Sequence, residues 1–77
     1  MIYYDDLKSA EIGIASVWDS SGSRVDRVIY SAEKIVKLYQ KRDKMTEEQA
    51  IEFIEFNTDG GYIGVDTPII VWKNYDN

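Results

Sequence analysis

The chain has no cysteine and no histidine. The first absence excludes disulfides and thiolate-based zinc sites. The second removes the commonest general base, the commonest metal ligand and every Ser-His or Cys-His dyad. Proline occurs once, at Pro68. No apolar run approaches the ~18 residues needed to span a bilayer, and the start, Met1-Ile2-Tyr3-Tyr4-Asp5-Asp6, lacks the basic and apolar pattern of a secretion signal. These absences predict a cytoplasmic protein with no membrane association, held together by apolar burial alone. With 44% of its 77 residues hydrophobic, and aromatic rings that can each bury ~150–250 Å², the chain has the material for one core. It is read as a single compact domain over 1–77, with 1–10 and 73–77 expected to fray.

What is present is charge, and it is segregated. Arg24, Arg27, Lys34, Lys37, Lys41, Arg42 and Lys44 dominate the middle of the chain, against Asp26, Glu33 and Asp43. From Met45 to Asp66 the charged residues are Glu47, Glu48, Glu52, Glu55, Asp59 and Asp66, with no lysine or arginine. The net charge of −5 argues against direct binding to nucleic acid, whose phosphates need a basic surface.

Hydrophobic periodicity organises the chain into elements. In Glu11–Trp18, Ile12, Ile14 and Trp18 alternate with Gly13, Ala15 and Val17, the period of a strand. Asp19-Ser20-Ser21-Gly22-Ser23 is a turn cluster, and Arg24–Tyr30 is rich in β-branched and aromatic residues, so the two runs read as a hairpin. Ser31 reads as an N-cap, followed by Ala32, Ile35, Val36 and Tyr39 at helical spacing with Lys34, Lys37 and Lys41 opposite. Thr46-Glu47-Glu48-Gln49 is a capping box. A second helix therefore starts there, carrying Ala50, Phe53, Ile54 and Asn57 on one face and ending near Asn57–Gly61. Phe53, Phe56 and Tyr62 are expected to bury this helix and its exit. Thr67–Trp72 reads as a last strand, begun by Pro68, which lacks a donor amide. The expected fold class is α+β in the order β-β-α-α-β. Three antiparallel strands would carry two helices on one face, with a short helical turn over Asp5–Ala10 and the third strand beside either of the others.

The segment Met45–Val71 resembles a small family of uncharacterised proteins found in bacteriophage and prophage genomes. The matching pieces are Met45-Thr46-Glu47-Glu48, Ala50-Ile51-Glu52-Phe53, Glu55-Phe56-Asn57, Tyr62-Ile63-Gly64 and Thr67-Pro68-Ile69. Gly60-Gly61, where the family more often has Gly-Ala, and the extension from Trp72 to Asn77 depart from it. The resemblance implies a phage origin, hence the host cell cytoplasm, and a shared fold; it implies no mechanism.

On a helix, at about 100° per residue, Glu48, Glu52, Glu55 and Asp59 fall in one wedge some 16 Å long at ~1.5 Å per residue. Carboxylates held this way can present charge as a nucleic-acid backbone does and so occupy a cationic groove. A solvated helix face would have the same composition. Tyr3, Tyr4, Trp72 and Tyr75 form a candidate aromatic rim, since Tyr and Trp combine area with a polar handle at interfaces. Asp5-Asp6 and Asn57–Gly61 offer oxygen ligands without EF-hand spacing, and Gly60-Gly61-x-x-Gly64 lacks the Lys and Ser/Thr of a phosphate loop, so no metal or cofactor is expected. An exposed helix face does not separate carboxylate pKa values as acid-base catalysis requires, so no enzyme is expected either. The expected function is that of a phage-like accessory protein that binds and inhibits a host protein or nucleoprotein defence complex, an anti-CRISPR role being one form. The alternatives are a homodimeric module pairing basic with acidic helices, and a small regulator contacting DNA through the Lys34 face.

Overall fold

A computed structural model of the protein describes residues 1–59, 61 and 64–72. A 3-10 turn (Asp5–Ala10) leads into strand β1 (Glu11–Trp18), which pairs antiparallel with β2 (Arg24–Ser31) across a five-residue loop. Helix α1 (Ala32–Asp43) follows without a linker, then α2 (Glu47–Phe53), a π-helical turn (Ile54–Asp59) and the short strand β3 (Ile69–Val71). The class is α+β, with β2 central in the order β1-β2-β3.

Local chemistry sets the boundaries. In the hairpin loop, Asp19 Oδ1 accepts from the Ser21 amide, the Ser21 hydroxyl and the Ser23 amide at 2.9, 2.7 and 2.9 Å. Gly22 takes the positive φ of 86° that the turn requires. The Ser31 hydroxyl caps α1 by accepting from the Lys34 amide at 3.2 Å. That helix stops because Lys44 turns left-handed, φ 59°, and its amide returns to the Tyr39 carbonyl. The capping box of α2 is complete: Gln49 N–H donates to Thr46 Oγ1 at 3.1 Å, and Thr46 N–H donates to Gln49 Oε1 at 2.9 Å.

The third strand corrects the expectation of an all-antiparallel sheet. It lies beside β2 and runs parallel to it, with Ile29, Tyr30 and Ser31 opposite Ile69, Ile70 and Val71. The reason lies just before the strand. Thr67 closes a turn on Gly64, its amide reaching the Gly64 carbonyl at 3.1 Å while its hydroxyl accepts from the Gly64 amide at 3.0 Å. This reversal delivers Pro68 and Ile69 to β2 in the parallel sense, and the Arg27 guanidinium holds the approach by donating to the Thr67 carbonyl. Parallel pairing needs a long crossover, and residues 32–68 provide it. The regular strand is also shorter than the expected Thr67–Trp72, three residues.

One core lies between the sheet and its helical cover. Leu7 and Ala10 come from the 3-10 turn, Val28 and Tyr30 from β2, Ala32, Ile35, Val36 and Tyr39 from α1, Ala50 and Ile54 from the second helical segment, and Ile70 from β3. Each large aliphatic here contributes about 1.5–3 kcal/mol by leaving water. The first ten residues, read as a frayed terminus, thus supply two core side chains, while 73–77, read the same way, lie outside the described residues. Tyr30 is fully buried, and burial pushes its pKa up. It accepts a hydrogen bond from the Tyr4 amide at 2.8 Å, while the two rings pack at 5.4 Å.

Candidate functional site

Helix α2 and the π-turn after it hold the acidic side chains. Ala50 and Ile54 face α1 and are buried, so the opposite surface is left to solvent. Glu47, Glu48, Glu52 and Glu55 are all exposed there. Among the described residues none of these four enters an ion pair; the recorded pairs are Met1 amine–Asp66, Arg42–Asp6 and Arg42–Asp43. Glu48 and Glu52 lie one α-turn apart, as a regular helix requires. Glu55 instead sits on the wider π-turn, so the three do not form the straight α-helical row expected from the sequence. The Asp59 backbone closes that turn, and its side chain lies outside the described residues.

The widened turn rearranges more than the acids. The side-chain amide of Asn57 donates to the Phe53 carbonyl at 3.2 Å, satisfying a group near the switch from α to π pairing. Thr58 is buried and hydrogen-bonds Tyr39, whose pKa is raised because burial outweighs that contact. Phe53 and Phe56 depart from the expectation of burial, and Tyr62 lies outside the described residues. Phe53 sets its edge against Tyr39 with centroids 5.3 Å apart yet remains 41% exposed, and Phe56 is 79% exposed. Phe56, two residues past buried Ile54, falls on the opposite side of the turn, toward solvent whatever its hydrophobicity. Gln49, Glu52, Phe53, Phe56 and Asn57 line a shallow cleft of about 320 Å³.

Such a surface can accept hydrogen bonds from cations and lay aromatic faces beneath them. A guanidinium suits both, since it forks onto a carboxylate and stacks on a ring.

The candidate aromatic rim is not brought together as a rim. Tyr3 is exposed and, with Tyr4, Asp5, Lys8 and Glu11, lines a cleft of about 440 Å³. Tyr4 and Trp72 are half-buried and pack on the core. Tyr75 lies outside the described residues. Among the described residues, the most exposed ring outside the helical layer is Trp18, 66% accessible at the end of β1, with the Arg24 guanidinium 4.8 Å from its centroid. Nothing in the alternation of β1 distinguishes an open face from a covered one. The available signal was edge position, which the strand order supplies.

The basic face of α1 is also exposed at Lys34, Lys37 and Lys41. Arg42 is engaged differently, 3.1 Å from Asp43, with Nη1 donating to the Asp6 carbonyl at 3.2 Å, tying α1 to the 3-10 turn. No group of three or more acidic residues among those described could hold a metal ion. No described helix is long and apolar enough to cross a membrane. No protein-family model, curated protein or solved structure matches the chain.

Proposed function

We propose that this protein is a non-enzymatic binding module that docks the outer face of α2 and its π-turn on a basic, arginine-bearing groove of another protein. The observation that carries the reading is the pairing of exposed Phe53 and Phe56 with the exposed carboxylates Glu48, Glu52 and Glu55 on one helical surface. Apolar rings left in water cost free energy that a partner surface recovers, and unpaired carboxylates around them select for cations. The carboxylates stand in solvent rather than in contrasting environments, which suits recognition and not acid-base work. A groove of this polarity is what nucleic-acid-handling proteins present, so occupying it would exclude their substrate. Together with the phage-family resemblance of Met45–Val71, this supports an accessory inhibitor of a host nucleoprotein or defence complex, acting in the host cytoplasm.

The experiment is affinity capture from nuclease-treated bacterial lysate, with the wild-type chain compared against Glu48→Gln/Glu52→Gln/Glu55→Gln and against Phe56→Ser. Both variants keep the buried face and should retain the circular dichroism of the wild type. Loss of a salt-sensitive partner in both supports the reading, whereas equal capture by all three chains rejects it.

One observation favours a second reading. The basic face of α1 and the acidic face of α2 do not neutralise each other within the chain, so two copies could pair them. A dimer that dissociates as salt screens its charges would point to that arrangement.

A further inference from the structure

The strand β1 forms the outer edge of the sheet and differs from the other edge in length and protection. It has eight residues against three in β3. Edge strands in soluble proteins are blunted by lysine, proline, shortness or bulges. Glu11-Ile12-Gly13-Ile14-Ala15-Ser16-Val17-Trp18 contains neither lysine nor proline, and its one irregularity falls at the Glu11–Gly13 end. Of the backbone groups that point away from β2, the Ser16 carbonyl accepts from the Arg24 guanidinium at 3.5 Å, and the others form a row of donors and acceptors.

Side chains along that edge are apolar and uncovered. Ile14 and Trp18 oppose Val28 and Arg24 across the hairpin, so they lie on the side of the sheet that carries the helices. Val28 is buried under that cover, but Ile14 is 56% exposed and Trp18 66% exposed, beyond its reach. Ile12, in the bulge, is 47% exposed. Taking about 200 Å² per side chain, these three leave roughly 350 Å² of apolar surface.

We infer that the occupant of this edge is a second copy of the chain, joined β1 to β1 in antiparallel fashion to make one six-stranded sheet. Self-complementarity carries the choice. Antiparallel overlap about a two-fold axis normal to the sheet brings the Trp18 end of one copy to the Glu11 end of the other, twice. At the receiving end lies the cleft of about 440 Å³ formed by Tyr3, Tyr4, Asp5, Lys8 and Glu11, a size in the ~300–1,000 Å³ range of ligand clefts. The projecting Trp18 enters it, and the Arg24 guanidinium stacked on that indole meets Asp5 and Glu11. The two apolar strips become one, supplying at most ~700 Å² of the ~1,200 Å² needed by a specific interface. Strand edges and cleft walls supply the rest. This interface leaves α2 free and does not depend on the binding role proposed for it.

Sedimentation equilibrium of the full chain from low micromolar to millimolar concentration tests the inference. Mass should rise from monomer to dimer. Ile14→Lys and Trp18→Ser, both at exposed positions, should each weaken association about tenfold or more, with circular dichroism unchanged. Glu11→Lys and Arg24→Glu place like charges at both contact points and should each leave the chain monomeric, while an equimolar mixture of the two should dimerise because both points become complementary again. A wild-type chain monomeric throughout overturns the inference. So does a dimer indifferent to Ile14→Lys and Trp18→Ser, or a mixture that fails to recover association.

Discussion

The edge of β1 and the outer face of α2 both display large apolar side chains, yet they offer a partner different things. Along α2 the backbone amides from Gln49 onward are used within the helix or by its capping box, so recognition falls to side chains, and Glu48, Glu52 and Glu55 dictate the sign of what can approach. Along β1 the outward backbone groups other than the Ser16 carbonyl, which accepts from Arg24, are available, and the only charge within the strand is Glu11. A helix face of this kind is selective by charge. An open edge is selective only through shape and the two ends of the strand, which is why it suits another copy of the same strand. The comparison shows that exposed hydrophobic area does not define a partner; the valence of the backbone beneath it does.

If both surfaces are surplus to folding, removing their apolar groups should leave stability intact while removal of a core group should not. This contrast carries the largest expected effect. Ile54→Ala, on the buried side of the same helical turn as Phe56, should cost about 2–5 kcal/mol. Phe56→Ser and Trp18→Ser should stay within ~1 kcal/mol. Urea denaturation of the three chains measures it. A Phe56→Ser chain as unstable as Ile54→Ala would mean that the ring is part of the core in solution and would remove it from the docking face.

The acidic face depends on a helix that is short on its own terms, seven residues before the π-turn, well below the ~12–15 residues at which isolated helices become marginally stable. Its capping box should therefore matter. Thr46→Ala should cost about 1 kcal/mol, a fall in Tm of about 4–8 °C for a domain of this size. The same change should weaken partner capture through α2 and leave β1-dependent association untouched. Equal loss at both surfaces would show that the two regions are coupled rather than independent.

Much of this was legible in the sequence, and the reason is local chemistry. Ser31, the Thr46–Gln49 box and the Asp19–Ser23 cluster act through hydrogen bonds a few residues long, so spacing alone reveals them. The direction of β3 was not legible because it depends on how Thr67 closes on Gly64 and on the Arg27 contact to the Thr67 carbonyl, pairings distant in sequence or specific to one turn geometry. Phe53 and Phe56 misled because residue type was weighed above position: Phe56 lies opposite Ile54 on any helical wheel. Ile14 and Trp18 have the alternation of a half-buried strand, and only the sheet order shows that α1 covers β2 and stops short of them. For the candidate site, the positions of Glu48 and Glu52 followed from the helix period. The displacement of Glu55 by the π-turn and the aromatic content of the face did not.

A smaller and opposite effect is expected where α1 ends. Lys44 adopts φ 59°, a conformation that costs a residue with a Cβ roughly 1–2 kcal/mol. Glycine would relieve it but also gives the unfolded chain more freedom, worth about 0.4–1 kcal/mol. Lys44→Gly should therefore stabilise the fold by up to about 1 kcal/mol. Thermal unfolding checks the sign. A destabilised variant would show that the lysine side chain contributes contacts that outweigh its backbone cost.

The smallest expected effect separates the two regions by pH. The β1 hairpin is closed by a charged group and α2 is capped by neutral ones. In the turn, hydrogen bonds from the Ser21 hydroxyl, then from the Ser23 and Ser21 amides, lower the Asp19 pKa from its ordinary 3.8. A carboxylate whose folded pKa is depressed contributes stability that is fully present above its unfolded value and is lost as pH falls through the folded one. The hairpin turn should hold unchanged from neutrality down to about pH 4, near the ordinary aspartate range, and loosen below it. Thr46 and Gln49 do not titrate, so the cap of α2 has no such transition of its own. Amide hydrogen exchange, corrected for intrinsic rates, should accordingly show protection at Ser21 and Ser23 falling below pH 4 before that of Gln49. In Asp19→Asn the difference should vanish, because the amide oxygen accepts at every pH. Simultaneous loss of protection in turn and cap would mean that acid unfolds the chain as one unit.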